Sequence, residues 1–301
     1  MKITILGNNS AIFANGRHPS AQIVEIADDL LLIDCGEGTQ TQMQRFGIKH
    51  RRIRYILISH LHGDHYFGLI GLLTTMSLMN RAESIQLFGP PELKNIIDIQ
   101  LSVASTQLSF EVNFTAIQPQ DEKLLIAASN LSVTCFPTVH RIPCHGFLIE
   151  EKKRGRKILS EACRKYEVPT YFFQKLKEGE NYINKNGDII QNEWVTEAPP
   201  PSKKYAYCAD SSYTEQYLNL IQSVDVMYHE STYLNDLAER AEERFHSTAL
   251  QAATLAGKAK AKRLLLGHFS SKYNDVSLFE KEARSIFPDT EATHEGTTYE
   301  I

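Results

Sequence analysis

Three histidines and an aspartate crowd into six positions, His60 to His65, where the run LISHLHGDH leaves an apolar stretch. Just past a strand end, His60 and His62 at i and i+2 project to one side. A turn at Gly63 brings Asp64 and His65 round beside them. Asp64 also opens the following helix, where free N–H groups favour a carboxylate. Imidazole plus carboxylate, without thiolate, suits zinc or another divalent transition metal. One zinc needs three protein ligands and an open position, so four candidates this close point to two metals about 3.5–4 Å apart. Two metals need more ligands than one loop supplies. Polar residues stranded at the ends of other apolar runs are the candidates: His140 after CFPTV, Asp210 after YCA and His268 after LLLG. A carboxylate between two histidine-rich halves is the natural bridge, and Asp210 fits that role. His18, His50, His145 and His294 lack a strand-end placement and read as structural or surface residues.

The elements that must position these side chains are short. KITILG, AQIVEIADDLLLIDCG and IRYILIS are rich in Ile, Leu and Val and bounded by turn residues, so they read as strands, with a hairpin turn at Asp28-Asp29. GDHYFGLIGLLTTMSLMN has helical spacing, with Leu69, Leu72, Leu73 and Met76 on one face. IQLFGPPELKNIIDIQLSV is a strand, a Gly-Pro-Pro break and a helix. NLSVTCFPTVH and CHGFLIEE read as a strand pair, and STALQAATLAGKAKA as an Ala-rich helix. Residues 151–204 are polar, charged and turn-rich with few apolar clusters, and read as an insertion that leaves the core and returns. A weak echo links LLLIDCGEGTQ with YAYCADSSY and YILISHLHGDH with RLLLGHF. Two such strand-to-ligand halves suit a two-sheet sandwich with helices outside.

At 301 residues, with 42% hydrophobic and 23% charged residues, the chain can bury a sizeable core. A net charge of −4 excludes a chain basic throughout but allows a local basic patch. The five cysteines are dispersed and never spaced as C-x-x-C, which argues against a disulfide framework or a thiolate zinc site. MKITILGNNS lacks the apolar core of a signal peptide, and no 18-residue apolar run exists to span a membrane. The default expectation is a cytoplasmic protein.

With the histidine cluster in view, the sequence resembles the metallo-β-lactamase superfamily and, within it, tRNase Z (ribonuclease Z, the tRNA 3′-processing endonuclease) in its short form. SHLHGDH carries the superfamily signature. LIDCGEGTQ (32–40), PTVH (137–140), YCAD (207–210), HEST (229–232), FHST (245–248) and LGHFSSKY (266–273) follow in the family's order and spacing, over nearly the whole chain. The resemblance implies an α/β fold, the four-layer αββα sandwich, with an inserted flexible arm at 150–204. It implies one zinc held by His60, His62, His140 and Asp210, and a second held by Asp64, His65, His268 and the bridging Asp210. Other divalent metals such as Mn2+ are compatible. Asp34 looks like the family's buried aspartate that orients a metal-binding histidine. A two-zinc site lowers the pKa of water toward neutrality. Asp64 is then the expected general base, and His246, oriented by Glu230, the acid that protonates a leaving ribose 3′-oxygen.

The substrate implied is precursor tRNA, cut to leave a 3′-hydroxyl on the tRNA and a 5′-phosphate on the trailer. KKRGRKILSEACRK (152–165) concentrates basic residues, among them Lys152, Lys153, Arg154, Arg156 and Lys157, against the single acid Glu161. A basic arm grips phosphates without reading sequence, as expected for tRNA recognised by shape. The family's arm often carries a Gly-Pro-rich turn; here VPTYFFQKLKEGE has Pro169 without an adjacent Gly. KHRRIR, before the metal strand, either faces RNA or caps the strand at the surface. The loop 8–22 lies where relatives handle the tRNA 3′ end. The resemblance also implies a homodimer, with no organic cofactor and no membrane partner. The alternative is a phosphodiesterase of the same fold acting on a small phosphodiester. A redox di-iron relative would carry an acid where this chain has His62, and a non-enzymatic RNA-binding descendant would have lost ligands.

Overall fold

The computed structural model describes residues 1–152, 155–199 and 201–301. They form two compact units, one of Met1–Glu150 with Lys203–Ile301 and one of Glu151–Ser202.

The larger unit is built on two seven-stranded sheets. The first contains β1 (Lys2–Gly7), β2 (Ala21–Ile26), β3 (Asp29–Ile33), β4 (Ile53–Leu57), β5 (Ile85–Gly89), β6 (Val112–Ala116) and the last strand of the chain, β18 (Thr298–Glu300). Its order is β18-β1-β2-β3-β4-β5-β6, antiparallel as far as β3 and parallel from β3 to β6. The second contains β7 (Lys123–Ala127), β8 (Leu131–Pro137), β9 (His145–Glu151), β14 (Lys204–Cys208), β15 (Val226–Glu230), β16 (Arg263–Gly267) and β17 (Thr290–Ala292). Here β14 to β17 are parallel neighbours. The two sheets thus share a plan, and the echo between the halves of the sequence reflects it.

Strand alternation assigns each apolar residue to a layer. Leu31, Ile33, Tyr55, Leu57, Tyr205, Tyr207 and Leu265 meet in a core shared by strands of both sheets. Their neighbours Leu32, Ile56 and Ile58 point the other way, onto Leu69, Leu72, Leu73 and Met76 of the helix Leu69–Leu78. Ala206, Cys208, Leu264 and Leu266 likewise pack on Ala252, Ala253 and Leu255 of the helix Ala249–Lys258. Strands covered on both faces read as continuous Leu/Ile runs, which is the form they take here. The result is the four-layer αββα metallo-β-lactamase sandwich.

Two details differ from the sequence reading. The segment after the histidines is two helices, Gly63–Tyr66 and Leu69–Leu78, rather than one. The break sits where Gly68 N–H donates to Cys35 O (2.9 Å), and a Cβ on Gly68 would lie 2.2 Å from Gly36 O. Backbone contact that close requires glycine. The inserted segment also has its own apolar cluster. Cys163, Val168, Leu176, Tyr182, Ile190 and Val195 are buried together among short helices and the strand pairs β10 (Lys157–Ile158) with β13 (Thr196–Glu197) and β11 (Tyr182–Ile183) with β12 (Ile189–Ile190). All five cysteines are buried and free. Among the described residues no helix is long and apolar enough to cross a membrane.

Candidate metal centre

The metal-type side chains lie at the carboxyl ends of the parallel strands, where α/β sheets place their ligands. Asp34 follows β3, His60 follows β4, Asp210 follows β14, Glu230 ends β15 and His268 follows β16. Asp34 and His268 both take positive φ (56° and 59°), which turns each chain abruptly off its strand.

Asp34 is fully buried and accepts four hydrogen bonds: from Ser59 N (2.8 Å), Ser59 Oγ (2.9 Å), Tyr207 Oη (2.7 Å) and His65 Nδ1 (2.7 Å). Because the Ser59 hydroxyl donates to Asp34, it accepts from His60 Nδ1 at 3.0 Å. His140 Nδ1 donates to Phe245 O (2.9 Å). The Thr232 hydroxyl donates to Glu230 Oε2 (2.8 Å) and accepts from His268 Nδ1 (2.9 Å). These partners place a proton on Nδ1 of all four imidazoles, so Nε2 is the atom each ring turns toward its neighbours. Burial alone lowers the His65 imidazole, but the Asp210, Asp34 and Asp64 carboxylates outweigh it and raise the group well above its ordinary value.

The ring nitrogens converge. His60 Nε2 and His140 Nε2 are each 3.1 Å from His62 Nδ1, and lie 3.7 and 4.0 Å from Asp210 Oδ2. His65 Nε2 is 3.3 Å from His268 Nε2 and 3.5 Å from Asp210 Oδ1. Asp64 Oδ2 lies 3.6 Å from His65 Nε2 and 3.4 Å from His268 Nε2. Two groups of potential ligands result, His60/His62/His140/Asp210 and Asp64/His65/His268, with Asp210 reaching into both; Asp210, His246 and His268 also lie within reach of one shared cation. Imidazole nitrogens 3.1–3.3 Å apart, with Asp210 and Asp64 oxygens 3.4–4.0 Å away, are close enough to share a cation. The donor set, imidazole nitrogen and carboxylate oxygen without thiolate, therefore fits a bound divalent transition metal.

The charges within the cluster set the protonation states. Burial pushes the Asp210 and Asp64 carboxyls up, but the surrounding histidines outweigh it and hold both well below the usual carboxylate range. Burial pushes His60 well below the ordinary imidazole value and His62 down to about 4, keeping both neutral as metal ligands require.

His246 and Glu230 stand beside this cluster. His246 Nδ1 donates to Glu230 Oε1 (2.9 Å), and the same oxygen accepts from Ser211 N (3.1 Å) and Ser247 N (3.0 Å). Glu230 Oε2 accepts from Thr232 N (2.9 Å) as well as from its hydroxyl. Burial alone lowers the His246 imidazole, yet the Glu230 carboxylate outweighs it and raises the group to about 9. The cavity in front, about 530 Å³, is bordered by His62, Asp64, His140, Asp210, His246 and His268, and also by Tyr233, Arg141, Arg240 and Arg244.

The chain is similar over its full length to known proteins. The Parabacteroides distasonis ribonuclease Z is 41% identical over 294 residues, which is 98% of this chain and 97% of that protein. The chain belongs to the ribonuclease Z family. The ribonuclease Z of Cytophaga hutchinsonii is likewise 41% identical, over 100% of this chain and 96% of its own. Among solved structures, human tRNase Z, short form (ELAC1), superposes with a TM-score of 0.75 at 28% identity, covering 100% and 99% of the two chains. The metallo-β-lactamase fold protein YhfI from Bacillus subtilis, at 19% identity and TM-score 0.68, shares the fold. Residues 1–161 also match a family model described as anti-Pycsar protein Apyc1. That match ends before Asp210, Glu230, His246 and His268, whereas the ribonuclease Z relatives span them.

The structure thus brings together Asp34, His60, His62, Asp64, His65, His140, Asp210, Glu230, His246 and His268. His18 pairs with Glu295 (3.1 Å), and His50, His145 and His294 also stay outside the ligand groups. In the KHRRIR stretch, Arg52 and Arg54 pair with Glu25 and Asp29 on the neighbouring strands β2 and β3. In the insertion, Lys153 and Arg154 lie outside the described residues. Lys152 is exposed, Arg156 donates to Thr196 Oγ1 (2.7 Å) and Lys157 pairs with Glu197 (3.1 Å). Sequence reasoning overlooked Ser59, Tyr207, Thr232 and the carbonyl of Phe245 as the groups that aim the ligands. Ser59, Tyr207 and Thr232 each lie within or beside a motif, but their partners come from other strands.

Proposed function

We propose that the chain is a zinc-dependent endoribonuclease that removes the 3′ trailer from precursor tRNA. The observation that carries this reading is the pairing of a metal-ligand cluster with His246, an imidazole that Glu230 keeps protonated at neutral pH. One cation would be held by His60, His62, His140 and Asp210, the other by Asp64, His65, His268 and Asp210, and both would be zinc, with manganese a workable substitute. Bound there, divalent cations supply Lewis-acid charge neutralisation at the phosphoryl group and lower the pKa of water.

The chain's own residues do the rest. Asp34 and Thr232 hold the His65 and His268 rings in line. Asp64, anionic throughout the working range, takes the proton of the attacking water. The water oxygen bonds to phosphorus as the bond from phosphorus to the ribose 3′-oxygen breaks. His246, with Nδ1 tied to Glu230, gives the proton on Nε2 to that departing oxygen. The products are a tRNA ending in a 3′-hydroxyl and a trailer with a 5′-phosphate.

Residues 150–204 serve as the tRNA-binding arm, gripping phosphates through Lys152, Lys153, Arg154, Arg156 and Lys157. A second copy of the chain covers the apolar surface near the helices Leu69–Leu78 and Glu92–Val103, where Phe67, Leu78, Met79, Ile99 and Val103 are each more than half exposed.

The test is cleavage of an unprocessed tRNA by the zinc-loaded protein, with the cut mapped by primer extension. A cut after the discriminator base supports the reading. The second reading, a phosphodiesterase for a small diester, draws on the first half of the chain matching another family's model. Hydrolysis of a small diester with precursor tRNA left intact would favour it.

A further inference from the structure

Between Thr232 and Ser247 the chain makes an excursion whose two ends are pinned by one carboxylate. Glu230 Oε2 accepts from Thr232 N, and Glu230 Oε1 accepts from Ser247 N and His246 Nδ1. Tyr233 and Ala249 close the base with a backbone bond of 3.1 Å. The far part is also tied down: Asn235 N donates to both oxygens of Glu282 (3.0 Å each). Within the excursion the helix Ala238–Glu243 carries the sequence AERAEE, followed directly by Arg244.

Four acids belong to this excursion, Asp236, Glu239, Glu242 and Glu243, yet none borders the metal cavity. The residues that do are Arg240 and Arg244, one helical turn apart, together with Tyr233. Both guanidiniums are exposed, and among the described residues neither has a carboxylate within ion-pair distance. Like charges at i and i+4 cost a helix a few tenths of a kcal/mol. Such a pair, turned toward a cavity while the helix's own acids turn elsewhere, calls for an anion that the cavity receives. His246 follows Arg244 by two residues and donates its proton to the departing 3′-oxygen, so the strand bearing that oxygen passes this wall.

We propose that Arg240 and Arg244 form a phosphate subsite for the RNA strand on the 5′ side of the cut, the strand that keeps the new 3′-hydroxyl. The subsite rests on the endoribonuclease reading above. Each guanidinium neutralises one backbone phosphate upstream of the scissile one, without reading the base. The rigid excursion sets the distance between that strand and the proton donor, because both sit on one pinned loop.

The experiment compares wild type with R240A/R244A and R240K/R244K in the full-length, zinc-loaded protein on precursor tRNA over a range of salt. For the alanine pair, KM rises by on the order of tenfold while kcat changes much less. The slope of log(kcat/KM) against log[salt] flattens by about 1.4, from about 0.7 per phosphate contact on a single strand. The lysine pair recovers most of that slope, because charge and not fork geometry carries it. Neutral methylphosphonate linkages placed just upstream of the cut reproduce the KM rise in wild type and add little in the alanine pair. An unchanged KM and salt slope in the alanine pair would overturn the subsite, as would an effect confined to methylphosphonates downstream of the cut. A fall in kcat/KM for a small diester as large as that for precursor tRNA would also overturn it, since that marks a disturbed loop. If wild type itself fails to cut precursor tRNA, the endoribonuclease reading falls, and the subsite with it.

Discussion

His65 Nδ1 donates to Asp34 Oδ2 at 2.7 Å, in a pocket where neither side chain has any exposed surface. Asp34 also accepts from Ser59 and Tyr207, so it fixes His65 directly and His60 through the Ser59 hydroxyl. One buried carboxylate therefore aims a histidine of each ligand group.

Replacing it should be felt at the metal before the chemistry. In Asp34→Asn the amide nitrogen takes one carboxylate position, facing Ser59 N at Oδ1 or Ser59 Oγ, Tyr207 Oη and His65 Nδ1 at Oδ2, so at least one of these bonds is lost. Zinc affinity should fall by about 10–100-fold, read by competition with a chromophoric chelator. Stability of the metal-free protein should fall by about 1–3 kcal/mol in urea unfolding. Wild-type zinc affinity in this variant would remove Asp34 from the positioning role.

His246→Ala should keep its zinc and lose rate. The imidazole bonds to Glu230 and lies outside the two ligand groups assigned here, so bound metal, measured by elemental analysis, should equal wild type. The kcat should drop by about 10²–10⁴. Loss of metal together with rate would make His246 a ligand, an option its place beside Asp210 and His268 leaves open to measurement.

The pH profile follows from the sign of the Glu230 effect. His246 is raised to about 9, so its acid form dominates below that pH and disappears as pH rises through it. The charge of bound metal opposes Glu230, so the alkaline limb of kcat should lie at or below about 9. In Glu230→Gln the carboxylate's support is gone, and the limb should move to lower pH. A limb that stays in place in this variant would show that another group sets it.

Chelation should loosen the fold. Chelation removes the cation that would tie together imidazoles and carboxylates packed 3.1–3.6 Å apart. The melting temperature should fall on adding EDTA and return with zinc, rising with free zinc as binding to the native state demands. A metal-independent melting temperature would argue against a preformed site.

Much of the site was legible because metal ligands are chemically narrow residue types placed at strand ends, where apolar runs stop. His60, His62, Asp64 and His65 are also local, so spacing alone sets their common side. The strands and main helices were legible for a similar reason: burial on both faces makes a strand a continuous apolar run, as in LLLID and RLLLG. The helix break at Gly68 was not, because it arises from contact with Cys35 and Gly36, distant in the chain. The small core of the insertion was hidden as well, since its six buried residues are spread over some thirty positions and converge only on folding.

The sequence by itself determined which residues could hold a metal or carry a proton, and the two-sheet strand plan. Tertiary structure decided which nitrogen of each imidazole faces the cluster, since Asp34, Thr232 and the Phe245 carbonyl meet Ser59 and the histidines only after the sheets assemble. It also decided that the acids of residues 236–243 turn from the cavity while Arg240 and Arg244 border it. The physical reason is the same in both cases. A side chain's type is local, but its direction and its partner depend on the backbone that packs against it.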